Sequence, residues 1–336
     1  MRPPVIFVTL ALIASAAHAD WELILEKGAY CIASDGERLY AGTEKGIYYS
    51  RDDGDTWRLS DFTDRIGHLA ASPRLAFAYS ADHGILRSVT KGNTWHRINN
   101  GFDRKMDENR LYYPKLRHFL ITSFGMVVAV GHQSGTWMSR NRGDRWQKAS
   151  DVWKGVPLGN SIYSMGEHDG DLWGLWSIYK AFRSPDEGAT WEYIPHWGDV
   201  RHIGQFALVE AWVSYRGDLY VGGRRGFGRW REETLDWEDL SQGLPKRPHL
   251  YHLVVHRDRI VGGSPYGVFM FDHHAETWYP VGLSDVSISA GGLVSHRGNL
   301  YAAAASRGHD GIYRAKRPFV SPEGKAAVTW GALKTK

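Results

Sequence analysis

Along most of the chain, short apolar and aromatic runs alternate with turns rich in Gly, Asp, Asn and Ser. The runs are too short for helices and recur in a fixed order. "RLYAGTEKGIYYS", "DLYVGGRRGFGRW", "RIVGGSPYGVFMF" and "NLYAAAASRGHDGIYRA" each give a Leu-Tyr-Ala-Gly-like run, a short turn and a Gly-Ile-Tyr-like run. A further apolar run precedes each pair, and an acidic turn ending in Trp, usually Thr-Trp, follows all but the last. One unit therefore predicts four short antiparallel strands.

The acidic turn is the sharpest part of the repeat. "SRDDGDTW" (50–57) and "SPDEGATW" (184–191) share Ser, Asp, Gly and Thr-Trp at the same offsets. "SVTKGNTW" (88–95) has Thr90 in place of the Asp. "SRNRGDRW" (139–146) has Asn141 there and Arg145 in place of the Thr. "WREETLDW" and "FDHHAETW" are more worn copies, ending at Trp237 and Trp278. Counting terminal tryptophans gives six units, and Trp21, in "DWEL", supplies a seventh. The mean spacing is about 43 residues, the length of a propeller blade. The last unit lacks its own Thr-Trp strand. Trp21 is therefore expected to complete it and close the ring, with Trp330 as the competing candidate.

The first 19 residues stand outside this pattern. A short basic start, an apolar run from Val5 to Ala16 and Ala17-His18-Ala19 form a cleavable export signal, so residues 1–19 are read as a signal peptide cut near Ala19. That run is too short to span a bilayer, and no other long uncharged window follows, so no transmembrane segment is expected. The expected protein is secreted or periplasmic. Residues 20–317 form the propeller and 318–336 a C-terminal tail. Cys31 is the single cysteine, so stability rests on packing rather than a disulfide.

Composition agrees with a repetitive β architecture: 38 Gly, 15 Trp and 17 Tyr suit many strands and tight turns. Without the leader, 40 basic residues face 37 acidic ones, too mild a charge for a typical nucleic-acid binder.

Ser-x-Asp-x-Gly-x-Thr-Trp resembles the Asp-box (BNR) repeat of sialidase-like propellers, which also occurs in xyloglucanases, sortilin-type receptors and photosystem assembly factors. The resemblance covers nearly the whole mature chain. It implies an all-β fold, a single seven-bladed β-propeller of four-stranded antiparallel blades closed by the N-terminal strand. It also implies that the box lies in the third-to-fourth strand turn, away from the ligand face. Ser50, Asp52, Gly54, Thr56 and Trp57, with Ser184, Asp186, Gly188, Thr190 and Trp191, are then structural. The Asp bonds its own turn, the Gly supplies a positive φ and the Trp packs between blades. The sialidase Arg-Ile-Pro motif is missing, "DRIGHL" being its nearest string, so sialidase activity is not expected.

Function is then sought on the face opposite the boxes. Two strand-four-to-strand-one connections are long, 99–116 and 196–211. "GHLAAS", "RHFLITS" and "YHLVVH" place His68, His118 and His252 at matching starts of innermost strands, with Cys31 in the same register and His202 on a long loop. Neutral imidazoles there could hold a divalent metal (His68, His118, His252) or, with Tyr112 and Tyr113, act as acid and base. Arg201, Arg224, Arg225, Arg247, Arg307, His309, Trp197 and Tyr266 crowd the same expected face as substrate-binding candidates. Arg forks suit carboxylates or sulfates, and aromatic faces suit sugar rings. Asp107, Glu108, Asp199 and Glu210 are the loop carboxylates a glycosidase could use. Two functions follow. One is binding, with lyase- or hydrolase-type cleavage, of an acidic polysaccharide or glycoconjugate. The other is a non-catalytic interaction or assembly module for an envelope protein.

Overall fold

The computed structural model describes residues 20–107, 110–131, 135–149, 153–154, 162–176, 180–194, 209–284, 286–305 and 310–316. Among these residues the strands form seven four-stranded antiparallel sheets and one two-stranded hairpin. Blades 1 to 6 each use four consecutive strands. Their innermost strands are Ala29–Ser34, His68–Ser72, Leu116–Ile121, Ile162–His168, Val209–Tyr215 and His252–Val255. Blade 7 takes Ile288–His296, Asn299–Ala304 and Gly311–Ala315 from the end of the chain and its outermost strand, Trp21–Leu25, from the beginning. Trp21 pairs with Ala315 and Leu23 with Tyr313, so the N-terminal strand closes the ring as expected. Trp330 lies outside the described residues. No helix among the described residues is long and apolar enough to cross a membrane.

The hydrophobic core is divided among blade boundaries. Seven apolar clusters of the described residues each join two neighbouring blades, and the last joins Leu25, Tyr301 and Ile312 of blade 7 to Ile32, Leu39 and Ala41 of blade 1. A sheet sandwiched on both faces needs continuous rather than alternating apolar sequence. The second strands show this: "LYAGT", "VVAVG" and "IVGGS" are buried at every position. Their small residues are needed because blades converge towards the axis. A Cβ on Gly42 would lie 2.6 Å from both Cys31 Sγ and a methyl of Ile66 in blade 2.

The acidic turns are built as staples. Ser50 Oγ accepts from Gly54 N at 2.8 Å and donates to Asp52 at 2.8 Å. Asp52 also accepts from the Thr56 amide at 2.9 Å and the Thr56 hydroxyl at 2.5 Å. Ser184, Asp186, Gly188 and Thr190 repeat the same bonds. The Thr56 and Thr190 bonds hold both aspartates below the usual carboxylate range. Where Thr90 replaces the Asp, its hydroxyl accepts from the Thr94 amide at 2.9 Å instead, which explains why the turn tolerates the loss. Three of the terminal tryptophans reach across boundaries: Trp146 Nε1 donates to Ile98 O, Trp278 Nε1 to Leu240 O and Trp21 Nε1 to Val281 O, each at the outer strand of the preceding blade, whereas Trp95 Nε1 donates to Gly92 O of its own turn.

Gly92 shows why the box needs its glycine. Its φ is +84°, and a Cβ there would lie 2.4 Å from the Tyr40 ring of blade 1. Gly92→Ala should therefore cost about 2–3 kcal/mol, from left-handed strain plus overpacking. A lowered midpoint in urea unfolding checks this, and an unchanged midpoint would mean the boundary yields.

Candidate functional site

The seven innermost strands enclose an axial cavity of about 610 Å³, to which every blade contributes lining residues. Its shaft is largely apolar, with Ile32, Leu69, Phe119, Leu120, Met165, Trp212 and Leu253 on the wall. Its mouth on the face opposite the boxes is set by a repeated backbone irregularity. In blades 1, 3, 4 and 5 the pairing of the first two strands slips by one residue at the same place, so that Tyr30, Arg117, Tyr163 and Glu210 have no partner across the ladder. A bulge re-aims a side chain out of its sheet. Arg117, Tyr163 and Glu210 accordingly line the cavity together with Tyr251, which precedes the innermost strand of blade 6.

These mouth residues touch one another. The Arg117 guanidinium lies 4.0 Å from the centroid of the Tyr163 ring. Tyr163 OH donates to Glu210 at 3.2 Å, and Arg224 Nε, from the second-to-third strand turn of blade 5, donates to the same oxygen at 3.3 Å. Burial and the Glu210 charge raise the Tyr163 pKa, and the same two effects raise that of Tyr251. At neutral pH both tyrosines are protonated donors beside two permanent cations and one carboxylate.

His68, His118 and His252 line this cavity, as does Cys31, but as stitches between blades. The backbone of Leu116 in the next blade partly offsets the effect of burial on the His68 ring, and that of Met165 does the same for His118. His252 Nδ1 accepts from Leu293 N at 3.0 Å. Ser164 plays the same part in blade 4, donating to Val209 O at 2.7 Å. Burial pushes all three histidines down to about 4, with His68, Arg117 and His252 adding to the effect on His118. Such imidazoles are uncharged at neutral pH and weak as bases. Among the described residues no three His, Cys, Asp or Glu side chains come together to hold a metal ion. The triad His68, His118 and His252 expected as ligands is therefore not assembled, because each ring sits on its own strand and reaches sideways to its neighbour. Burial likewise raises the Cys31 thiol, which stays protonated.

At the opposite ends of the innermost strands the stitching repeats. His168 Nδ1 meets Ser214 Oγ at 2.9 Å, His256 meets Ser295 at 3.0 Å and His296 meets Ser34 at 2.7 Å. His296 Nε2 also meets Asp53 at 3.0 Å, which gives a Ser-His-Asp chain. Recurrence at three boundaries marks it as a structural stitch. Neither Ser34 nor His296 lines the axial cavity.

The other expected residues are dispersed. Tyr113 stacks on Phe102 at 5.8 Å and accepts from Asn99 Nδ2 at 3.0 Å, so it packs the loop. Tyr112 ends the Lys105–Asp107/Arg110–Tyr112 hairpin, opposite Lys105. Neither tyrosine lines the cavity, and neither do the exposed Arg225 and Arg247. Tyr266 is exposed and close enough to Tyr251 to affect its ionisation. Trp197, Arg201, His202, Arg307 and His309 lie outside the described residues, as do Glu108 and Asp199. Sequence reading missed Arg117, Tyr163 and Tyr251. The signal for them was one residue away, in the column before the aligned histidines.

No protein-family model matches the chain, and no curated protein matches it. The similar solved structures share its fold. The extracellular domain of BT4673 from B. thetaiotaomicron has a TM-score of 0.65 at 13% identity, over 89% of this chain and 40% of that one. YCF48 bound to D1 peptide has a TM-score of 0.60 at 13% identity, over 90% and 96%. YCF48 from Cyanidioschyzon merolae has 0.57 at 15%, over 88% and 98%. Thus the chain spans less than half of the BT4673 domain.

A pH dependence follows from the histidines. Below about 6.5 the unfolded chain protonates these imidazoles while the native state refuses the proton down to about 4. Their contribution is therefore complete above pH 6.5 and is lost as pH falls towards 4, by about 1.4 kcal/mol per pH unit for each histidine. Unfolding free energy measured across that window should fall with this slope. His252→Asn, which keeps an acceptor for Leu293 N, should remove one proton's share of it. A flat profile would contradict the burial of these rings.

Proposed function

We propose that the protein is a non-catalytic binding propeller of the cell envelope, whose axial mouth captures a carboxylate-bearing segment of a partner polypeptide. The observation that carries this reading is the cluster of the bulged residues Arg117, Tyr163 and Glu210 with Tyr251 and Arg224, above a shaft walled by Phe119, Leu120, Trp212 and Leu253. Arg117 is held in place by the Tyr163 ring, so ordering it costs little when a ligand binds. Its fork offers paired donors to a carboxylate, and the apolar shaft below suits a side chain such as Leu or Phe. That combination of charge and apolar depth fits a peptide better than a sugar, whose hydroxyls would meet an apolar wall without partners.

Several features weigh against cleavage. β-Elimination needs a base near neutral pH, and the cavity histidines are held at about 4 by burial. Glu210 is already engaged by Tyr163 and Arg224. YCF48, a protein of similar fold, has been solved with a peptide bound, and this lends support to a peptide as the class of ligand.

The test compares wild-type protein with an Arg117→Ala/Arg224→Ala variant. Both are screened against immobilised peptides ending in an apolar residue and a free carboxylate, and against uronate oligosaccharides. Salt-sensitive peptide binding is expected, weakened at least about tenfold in the variant, since two charge-assisted contacts are removed. Uronate binding that needs the same two arginines, or release of an unsaturated sugar, would overturn the reading in favour of a glycan-directed enzyme.

A further inference from the structure

A second charged feature lies on the outer rim, between blades 2 and 3. A groove of about 430 Å³ is lined by Gly101, Asp103, Arg104 and Lys105 from the connection between the blades. Trp137, Arg145, Trp146, Gln147 and Lys148 of blade 3 complete it. Four cations thus face one carboxylate, Asp103. They crowd one another: burial and the charge of Lys148 lower the pKa of Lys105. Arg104 is held over the Tyr113 ring at 5.0 Å, and Lys105 Nζ lies 5.9 Å from the centre of the Trp137 ring.

The origin of this charge is a change in the acidic turn. In blades 1 and 4 the box Asp binds the box Thr through both amide and hydroxyl. In blade 3 the residues are Asn141 and Arg145. Asn141 Oδ1 still accepts from the Arg145 amide at 2.9 Å and from Ser139 Oγ at 2.8 Å, so the staple survives without the side chain of residue 145. The hydroxyl bond is gone, and a guanidinium lines the groove instead. Asn for Asp removes one negative charge and Arg for Thr adds a positive one, so these two positions together are two charges more positive than in blades 1 and 4. A staple that needs only the amide leaves this side chain available for another task.

We propose that this groove is a binding site for a polyanionic polysaccharide, one carrying repeated sulfate or carboxylate groups. A single small anion is satisfied by two or three donors, whereas four cations from two segments match a ligand with charge repeated along its length. Trp137 and Trp146 are buried beneath the groove and offer no open ring face on which bases would stack, which disfavours a single-stranded nucleic acid. The site is built from the outermost strand of blade 3 and does not share residues with the axial mouth.

The experiment measures binding of a fluorescent heparin oligosaccharide at low and physiological salt. It uses wild-type protein, Arg145→Thr/Lys148→Gln, Lys148→Glu alone and Arg117→Ala/Arg224→Ala. Arg145→Thr restores the box hydroxyl, so the double variant should unfold no earlier than wild type, and Lys148→Glu supplies an independent charge reversal. The expected result is salt-sensitive binding by wild type, at least about tenfold weaker in both groove variants and unchanged in the mouth variant. The proposal is overturned by any of three outcomes. These are no salt-sensitive binding by wild type, undiminished affinity in folded groove variants, or equal affinity for a single-stranded oligonucleotide of matched charge. Because the mouth variant reports separately, failure here leaves the peptide reading untouched, and the converse also holds.

Discussion

The architecture depends on the pairing of Trp21–Leu25 with Gly311–Ala315. A ring of sheets has no interior of its own until it closes. Each blade is buried by its neighbours, and an open ring would leave the faces of blades 1 and 7 in water and an unpaired edge on Gly311–Ala315. Closure places Leu25, Ile312 and Tyr301 against Ile32, Leu39 and Ala41, completing the last of seven boundaries. It also brings Tyr301 and Arg314 to the carbonyl of Asp53, tying the two ends of the chain together through the first acidic turn. The axial cavity then has its width set by how closely seven innermost strands can approach. Small residues such as Gly42 decide this, where even a methyl group would collide.

Blade boundaries are held at three radii by the same kind of device. At the rim, a box tryptophan donates to a carbonyl of the preceding blade, as Trp146 does to Ile98. Along the axis, His252 and Ser164 bond the backbone of the next blade, and at the far end histidines bond serines. A buried polar side chain is stabilising here because its partner is also buried and would otherwise be unsatisfied. This accounts for histidines in aligned positions without a metal or a reaction. Alignment in a repeat protein follows from the repeat itself: equivalent positions meet equivalent needs. The Ser34-His296-Asp53 chain illustrates the point, since two sister boundaries carry the same Ser-His pair and His168 too has an aspartate, Asp169, 3.7 Å from its Nε2.

The repeat made the fold readable from sequence. Seven Trp-terminated units, their strand order and the closing role of Trp21 were all visible, because packing on both faces imposes the same small and aromatic residues on each unit. The structural part played by Asp52 and Asp186 was equally visible, since Thr90 stands at the equivalent position of another copy and a hydroxyl can make the same bond to the turn. The axial site was legible only in outline. His68, His118 and His252 do reach the cavity, yet they reach sideways along the ring, and nothing in one sequence reports direction. Arg117 and Tyr163 were hidden, and Glu210 was legible only as a loop carboxylate, because a bulge breaks the alternation that sequence reading relies on. With strict period two, the residue before an inward-facing histidine would turn away from the axis. The slip in pairing brings it back to the mouth.

The bulge has a further consequence for how such a scaffold diversifies. A residue left out of the ladder has no partner on the second strand, so its side chain is released from the alternation of the sheet. Three of the four bulged residues, Arg117, Tyr163 and Glu210, line the mouth, whereas Tyr30 bonds Glu44 outside it. The same separation of duties operates in the blade 3 turn, where the Asn141 amide bond keeps the staple and Arg145 is released to line a groove. In both places backbone geometry is maintained by one set of atoms while a neighbouring side chain varies without cost to the fold. Positions of this kind, rather than the aligned and conspicuous ones, are where the ligand of a repeat protein leaves its mark on the sequence.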